Sequence, residues 1–101
     1  MKRNMWLACT ASPGQFSNEL AVRGHDYEGM EFSLFTARQF VQCPQALTPD
    51  SEEVDAFVRI DVLQEREGLC LVQLPGQTFD NGSTITVRRD QLTENPSHQF
   101  A

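Results

Sequence analysis

The feature that most limits what this chain can become is a two-residue rhythm, interrupted by turn signals at roughly ten-residue intervals. Met5, Leu7 and Cys9 alternate with Trp6, Ala8 and Thr10. Leu20 and Val22 share one phase, as do Met30, Phe32 and Leu34 against Glu31, Ser33 and Phe35. Val58, Ile60 and Val62 alternate with Phe57, Arg59 and Asp61, and Ile85 and Val87 with Thr84, Thr86 and Arg88. Successive side chains of a strand point to opposite faces, so each run presents one apolar row to a core and one row outward. The run Leu69–Leu74 is apolar in both phases, which predicts a central strand covered on each side.

Punctuation supports the same class. Pro13-Gly14 marks a turn, and "GHDYEG" between Gly24 and Gly29 reads as a hairpin tip. "QEREG" is a charged hairpin loop closing on Gly68, while Pro75-Gly76 and Asp80-Asn81-Gly82 read as two turns in succession. Between Thr36 and Asp55 the alternation fails. Thr36 is placed to cap a helical turn carrying Phe40 and Val41 inward, stopped by Pro44. Thr48, Pro49, Asp50, Glu52 and Glu53 then have the order of a helix entrance, with N-cap, first-turn proline and acids at the positive end of the dipole. "DQL" is expected to turn Leu92 back into the core.

These elements predict an all-β fold: a small, partly open antiparallel barrel of five to six strands with one short helical segment. A single domain spans 1–92, followed by a frayed tail over 93–101. The order of strand, charged hairpin, strand, short loop and last strand closed by a leucine is similar to SH3-like barrels. That likeness is one of architecture, and such a fold hosts many functions. At 101 residues the chain is long enough to bury a core without metal or disulfide staples.

Charge and cysteine usage narrow the class of partner. The formal net charge is −6, with 14 acidic against 8 basic residues. Sequence-independent nucleic-acid binding draws on many Lys and Arg, so that class starts at a disadvantage. No apolar run approaches the roughly 18 residues that span a bilayer, and no membrane is expected. Lys2-Arg3 before Met5–Cys9 resembles the start of a secretory or lipoprotein signal, but Thr10 and Ser12-Pro13-Gly14 cut the apolar run short. The segment reads instead as the first strand. Cys9, Cys43 and Cys70 form neither a disulfide framework nor a metal knuckle, which points to a reducing, cytoplasmic setting.

No cofactor or metal motif is present. Zinc ligands a few residues apart are missing, and the acids Asp50, Glu52, Glu53 and Asp55 lack the interleaved glycine of a calcium loop. His25 beside Asp26 is the one place for an acid–base pair, yet neighbours at a hairpin tip point apart. His98 falls in the tail. The binding candidates are the outward Trp6, Phe35 and Phe57 with Arg59 and Arg88, because aromatics and arginine are the usual interface anchors. Arg88 is expected to pair across the sheet with an acid such as Asp61 or Glu65.

The leading expectation is therefore a non-enzymatic interaction module for a protein or peptide, with an open strand edge offering a route to a homodimer. A small nucleic-acid-binding barrel using Arg23, Arg38, Arg59, Arg88 and Arg89 is the alternative. An enzyme or metal site around His25 stands third.

Overall fold

The computed structural model describes residues 3–16, 18–43, 47, 52–78 and 82–96. Among the described residues eight strands run in chain order: β1 (Arg3–Pro13), β2 (Glu19–His25), β3 (Glu31–Ala37), β4 (Val41–Gln42), β5 (Val54–Arg66), β6 (Leu69–Thr78), β7 (Gly82–Arg88) and β8 (Leu92–Thr93). Single 3-10 turns, Arg38–Phe40 and Arg89–Gln91, precede the two shortest strands. The six longer strands form one curled antiparallel sheet in the order β3-β2-β1-β5-β6-β7. The fold is all-β and half-barrel in form.

Two long strands make the frame. β1 and β5 pair along almost their whole length, from Arg3 opposite Val62 to Ala11 opposite Val54. Each then divides its other edge between two partners. β1 gives Thr10–Pro13 to β2 and Trp6–Leu7 to β8. β5 gives Phe57 and Val58 to β4, and Asp61 to Arg66 to β6. A strand that changes partner along its length must bend, and this bend curls the sheet.

The inward rows follow the expected phases. Met5, Leu7, Val22, Leu34, Val58, Ile60, Val72 and Val87 are buried in the main core, and Leu92 joins them after the second 3-10 turn. Each such side chain contributes on the order of 1.5–3 kcal/mol through the area it removes from water. A smaller cluster of Ala11, Leu20, Leu47 and Ala56 lies at the other end of β1 and β5, with Cys9 and Val41 packed against both.

Several local features depart from the sequence expectation. Met30 does not begin a strand: it sits in the β2–β3 connection at 66% exposure. There the Asp26 Oδ1 carboxylate oxygen accepts from the backbone N–H groups of Glu28 and Met30 at 2.8 and 2.9 Å. Pro75-Gly76 does not turn the chain. β6 continues to Thr78, and the register with β7 slips between Gln73 and Thr78. Proline has no N–H for the ladder, so the strand bulges there instead of ending. Thr36 is buried inside β3, and Ala37 occupies the cap position without a side-chain bond.

β6 has a neighbour on each side but stands next to last in the sheet, and its outward Leu69 and Leu71 are half-buried, so the outer face is covered only in part. Pairing also reaches into the expected tail, where Thr93 opposes Trp6 and Pro96 is buried. The helix entrance at Thr48, Pro49 and Asp50, the Asn81 turn residue and His98 lie outside the described residues.

Closure comes from the β2–β3 hairpin folding over toward the far end of the sheet. The Tyr27 N–H donates to the Thr86 carbonyl of β7 at 2.9 Å. The Gln91 side-chain amide donates to the His25 carbonyl, also at 2.9 Å. Among the described residues, no helix is long and apolar enough to cross a membrane.

Candidate functional site

With Met5 and Leu7 turned inward, the intervening residues of β1 face out, and the β1–β5 register decides what stands beside them. Asn4 opposes Asp61, Trp6 opposes Arg59, Ala8 opposes Phe57 and Thr10 opposes Asp55. Directly opposed side chains have Cβ atoms about 4.5–5.5 Å apart, and aromatic side chains also reach diagonal neighbours. Trp6, Arg59 and Phe57 therefore share one patch on the outer face, with Thr93 of β8 beyond Trp6 and Gln42 of β4 beyond Phe57. Trp6 and Phe57 are half-buried, while Arg59 and Ala8 are exposed.

Arg59 is held in place across the strand pair. With the Asn4 carboxamide oriented to satisfy both neighbours, its nitrogen donates to Asp61 Oδ1 and its oxygen accepts from Arg59 Nη2 at 2.7 Å. Asp61 thus acts on Arg59 through Asn4, and among the described residues no carboxylate lies within 4.0 Å of that guanidinium.

Next to this patch, where β1 passes from β2 to β8, the sheet splits into an open groove of about 700 Å³. Ala8, Cys9 and Thr10 form one wall, and Arg23, His25, Glu31, Glu53, Arg88 and Gln91 stand around it. Its charges are mutually engaged. Arg23 donates to Glu53 at 2.9 Å and lies 3.6 Å from Glu31, and these two acids raise the guanidinium pKa above its ordinary value, Glu53 most strongly. Arg88 donates to Asp90 at 3.1 Å, and its backbone N–H donates to Gln91 Oε1 at 2.7 Å.

The predicted partner of Arg88 was Asp61 or Glu65; the structure gives it Asp90. The 3-10 turn after β7 returns Asp90 to the arginine, at 3.1 Å. Glu65 is taken by Arg3 at 3.3 Å and approached by Arg89 at 3.9 Å.

Phe35 is the candidate that stands apart. It opposes Ala21 on β2, and Ala21 opposes Ser12 on β1, six residues along the strand from Trp6. Six residues of extended chain span about 20 Å. Phe35, 38% exposed, lines instead a shallow cleft of about 200 Å³ with Ser12, Ala21 and Ser33. Of the five candidates, the structure brings together Trp6, Phe57 and Arg59, and places Arg88 in the adjoining groove.

His25 and Cys9 line the same groove; the sequence alone does not show which cysteine lies near His25. Burial pushes the Cys9 thiol up to about 12, with the charges of Cys43 and Asp55 adding to the effect. A thiol held protonated is a poor nucleophile and a poor metal ligand. Burial raises Cys43 and Cys70 as well. No group of three or more His, Cys, Asp or Glu is placed to hold a metal among the described residues. Ala8, Glu31, Glu53 and Gln91 carried no sequence signal for the groove, because their meeting depends on which strands pair.

Searches of family models, curated proteins and solved structures return no match for this chain.

Proposed function

We propose that this domain is a non-enzymatic interaction module, an SH3-like barrel working in the cytoplasm, that engages a protein or peptide across the outer face of β1 and β5. The observation that carries this reading is the direct cross-strand placement of Trp6 against Arg59, with Phe57 diagonal to them. Tryptophan and arginine dominate the energetics of protein interfaces, and an anchor set needs rigid support. Here it stands on the two longest strands, each tied along both edges. The free thiols Cys9, Cys43 and Cys70 support a reducing compartment.

The other classes have less to draw on. Phosphate binding needs several unengaged cations on one face, whereas Arg23, Arg88 and Arg89 are each turned onto a carboxylate. A catalytic reading of the groove needs an activated nucleophile, and the Cys9 thiol is raised, not lowered.

The test uses Trp6→Ala, chosen because the indole faces outward from the main core. Affinity capture and light scattering of the two proteins, each first matched for thermal unfolding, should show an association that the variant loses. A second copy of the chain is one admissible partner. Equal capture by both proteins, or salt-sensitive binding to single-stranded nucleic acid unaffected by the variant, would overturn the reading.

A further inference from the structure

The same patch carries information about what it binds. Arg3, Arg23, Arg88 and Arg89 all have a carboxylate within 4.0 Å, in a chain with 14 acids to choose from. Among the described residues neither Arg59 nor Arg66 does, and of these two Arg59 stands beside Trp6, with Asp61 two residues away on the same outward row. Asn4 stands between Arg59 and Asp61, and the carboxamide orientation that satisfies both neighbours turns its nitrogen to the Asp61 carboxylate and its oxygen to Arg59 Nη2. The guanidinium thus meets a neutral acceptor directly and a carboxylate only through it. A guanidinium has five N–H donors in a planar fork that matches a carboxylate bidentately, and one contact to Asn4 leaves most of that fork available.

Beside the fork is an apolar floor. Trp6 stands directly across from Arg59, and Ala8 and Phe57 form the next cross-strand pair. A ligand that placed a carboxylate on Arg59 would lay its neighbouring residues over Trp6 and Phe57. The net charge of −6 limits how acidic that ligand can be, since an acidic domain repels a polyanion at long range. One carboxylate can pair with Arg59 directly; a run of them would meet Asp55 and Asp61 of the same outward row and the rest of the acidic surface.

We propose that the β1–β5 outer face docks a peptide segment bearing a single aspartate or glutamate side chain next to an aromatic or large aliphatic residue. The carboxylate pairs with Arg59 and the apolar neighbour packs on Trp6 and Phe57. This inference rests on the interaction-module reading and names its ligand.

The experiment is a selection of phage-displayed random linear peptides on the intact protein, followed by affinity measurement with the synthetic peptides recovered. The expected result is a family of sequences sharing one acidic residue beside an apolar one. Exchanging that residue for its amide should weaken binding by about tenfold or more, the range for a hydrogen bond to a charged group. Arg59→Gln should cause a similar loss and make the acidic and amide peptides equivalent, and Arg59→Lys should recover only part of it. Matched thermal unfolding of the variants separates these effects from misfolding.

Peptides that lose binding with Trp6→Ala but carry no required acid, or prefer a basic residue, would overturn the carboxylate while leaving the module intact. Recovery of no peptide sensitive to Trp6→Ala would overturn both.

Discussion

The Phe35 carbonyl oxygen lies where a side chain on Gly76 would begin: a Cβ there would stand 2.9 Å from it. This contact is the seam at which β3, one end of the sheet, comes against β6. Pro75 and Gly76 lie in the stretch of β6 where the register with β7 slips, and proline cannot donate to a ladder there. Because the obstructing atom is main chain, it cannot swing aside. Gly76→Ala is expected to destabilise the domain by about 1–3 kcal/mol, with a fall in Tm of several degrees. Calorimetry checks the size, and hydrogen exchange should show the loosening concentrated in β3.

A second close approach runs between Gly24 and Phe32, which oppose each other in the β2–β3 hairpin. A Cβ on Gly24 would meet the Phe32 ring at 2.7 Å, and Phe32 is buried, so the ring has little room to retreat. Gly24→Ala should cost about 1–3 kcal/mol by overpacking. Because the conflict belongs to the pair, adding Phe32→Leu should cost less than the sum of the two single changes. Additive losses in denaturant unfolding would place the strain elsewhere.

How much of this was legible in the sequence depends on the length scale of the interaction. Inward and outward rows are a local property of each strand, so Leu7, Val22, Val58 and Val87 were assigned correctly from alternation alone. Which outward residue meets which is a property of register. The Trp6–Arg59 pairing therefore could not be read, although both residues could be singled out. The groove is further removed, since it exists only because β1 exchanges β2 for β8 at Ala8 and Cys9. Pro75-Gly76 misled for a related reason. The dipeptide signals a turn in isolation, but a neighbouring β3 backbone makes use of the same bulge inside a strand. Arg88 shows the opposite case, in which a local turn supplied Asp90 before any distant acid could compete.

The tight β5–β6 hairpin contains a correctable local cost. Arg66 pairs with Leu69, and the two residues between them, Glu67 and Gly68, both have positive φ, at 54° and 81°. Two-residue hairpins of this kind favour Asn-Gly, because asparagine tolerates the left-handed region better than glutamate. Glu67 is exposed and nothing lies within 4 Å of a Cβ built on Gly68, so the tip is open. Glu67→Asn is expected to stabilise the domain by about 0.5–1 kcal/mol and raise Tm by a few degrees. An unchanged or lower Tm would show that the turn geometry is not limiting.

Cys9 should leave a signature in the pH dependence of stability. Burial holds its thiol up at about 12 in the folded protein against a reference of 9.0, by disfavouring the thiolate. Below the unfolded pKa both states hold the proton, and the full stability is present. As pH rises above about 9 the unfolded chain releases its proton while the folded one keeps it, so unfolding is progressively favoured. Until pH approaches the folded value, this one group contributes a slope nearing about 1.4 kcal/mol per pH unit. Cys43 and Cys70 act in the same direction. Denaturant unfolding between pH 8 and 11 should therefore be steeper in the wild type than in Cys9→Ala, after each is normalised to its own stability at neutral pH. In parallel, Cys9 should resist alkylation at pH 8 until the protein is unfolded. Rapid labelling of Cys9 in the native state would mean that the groove exposes the thiolate and that the burial argument fails at this residue.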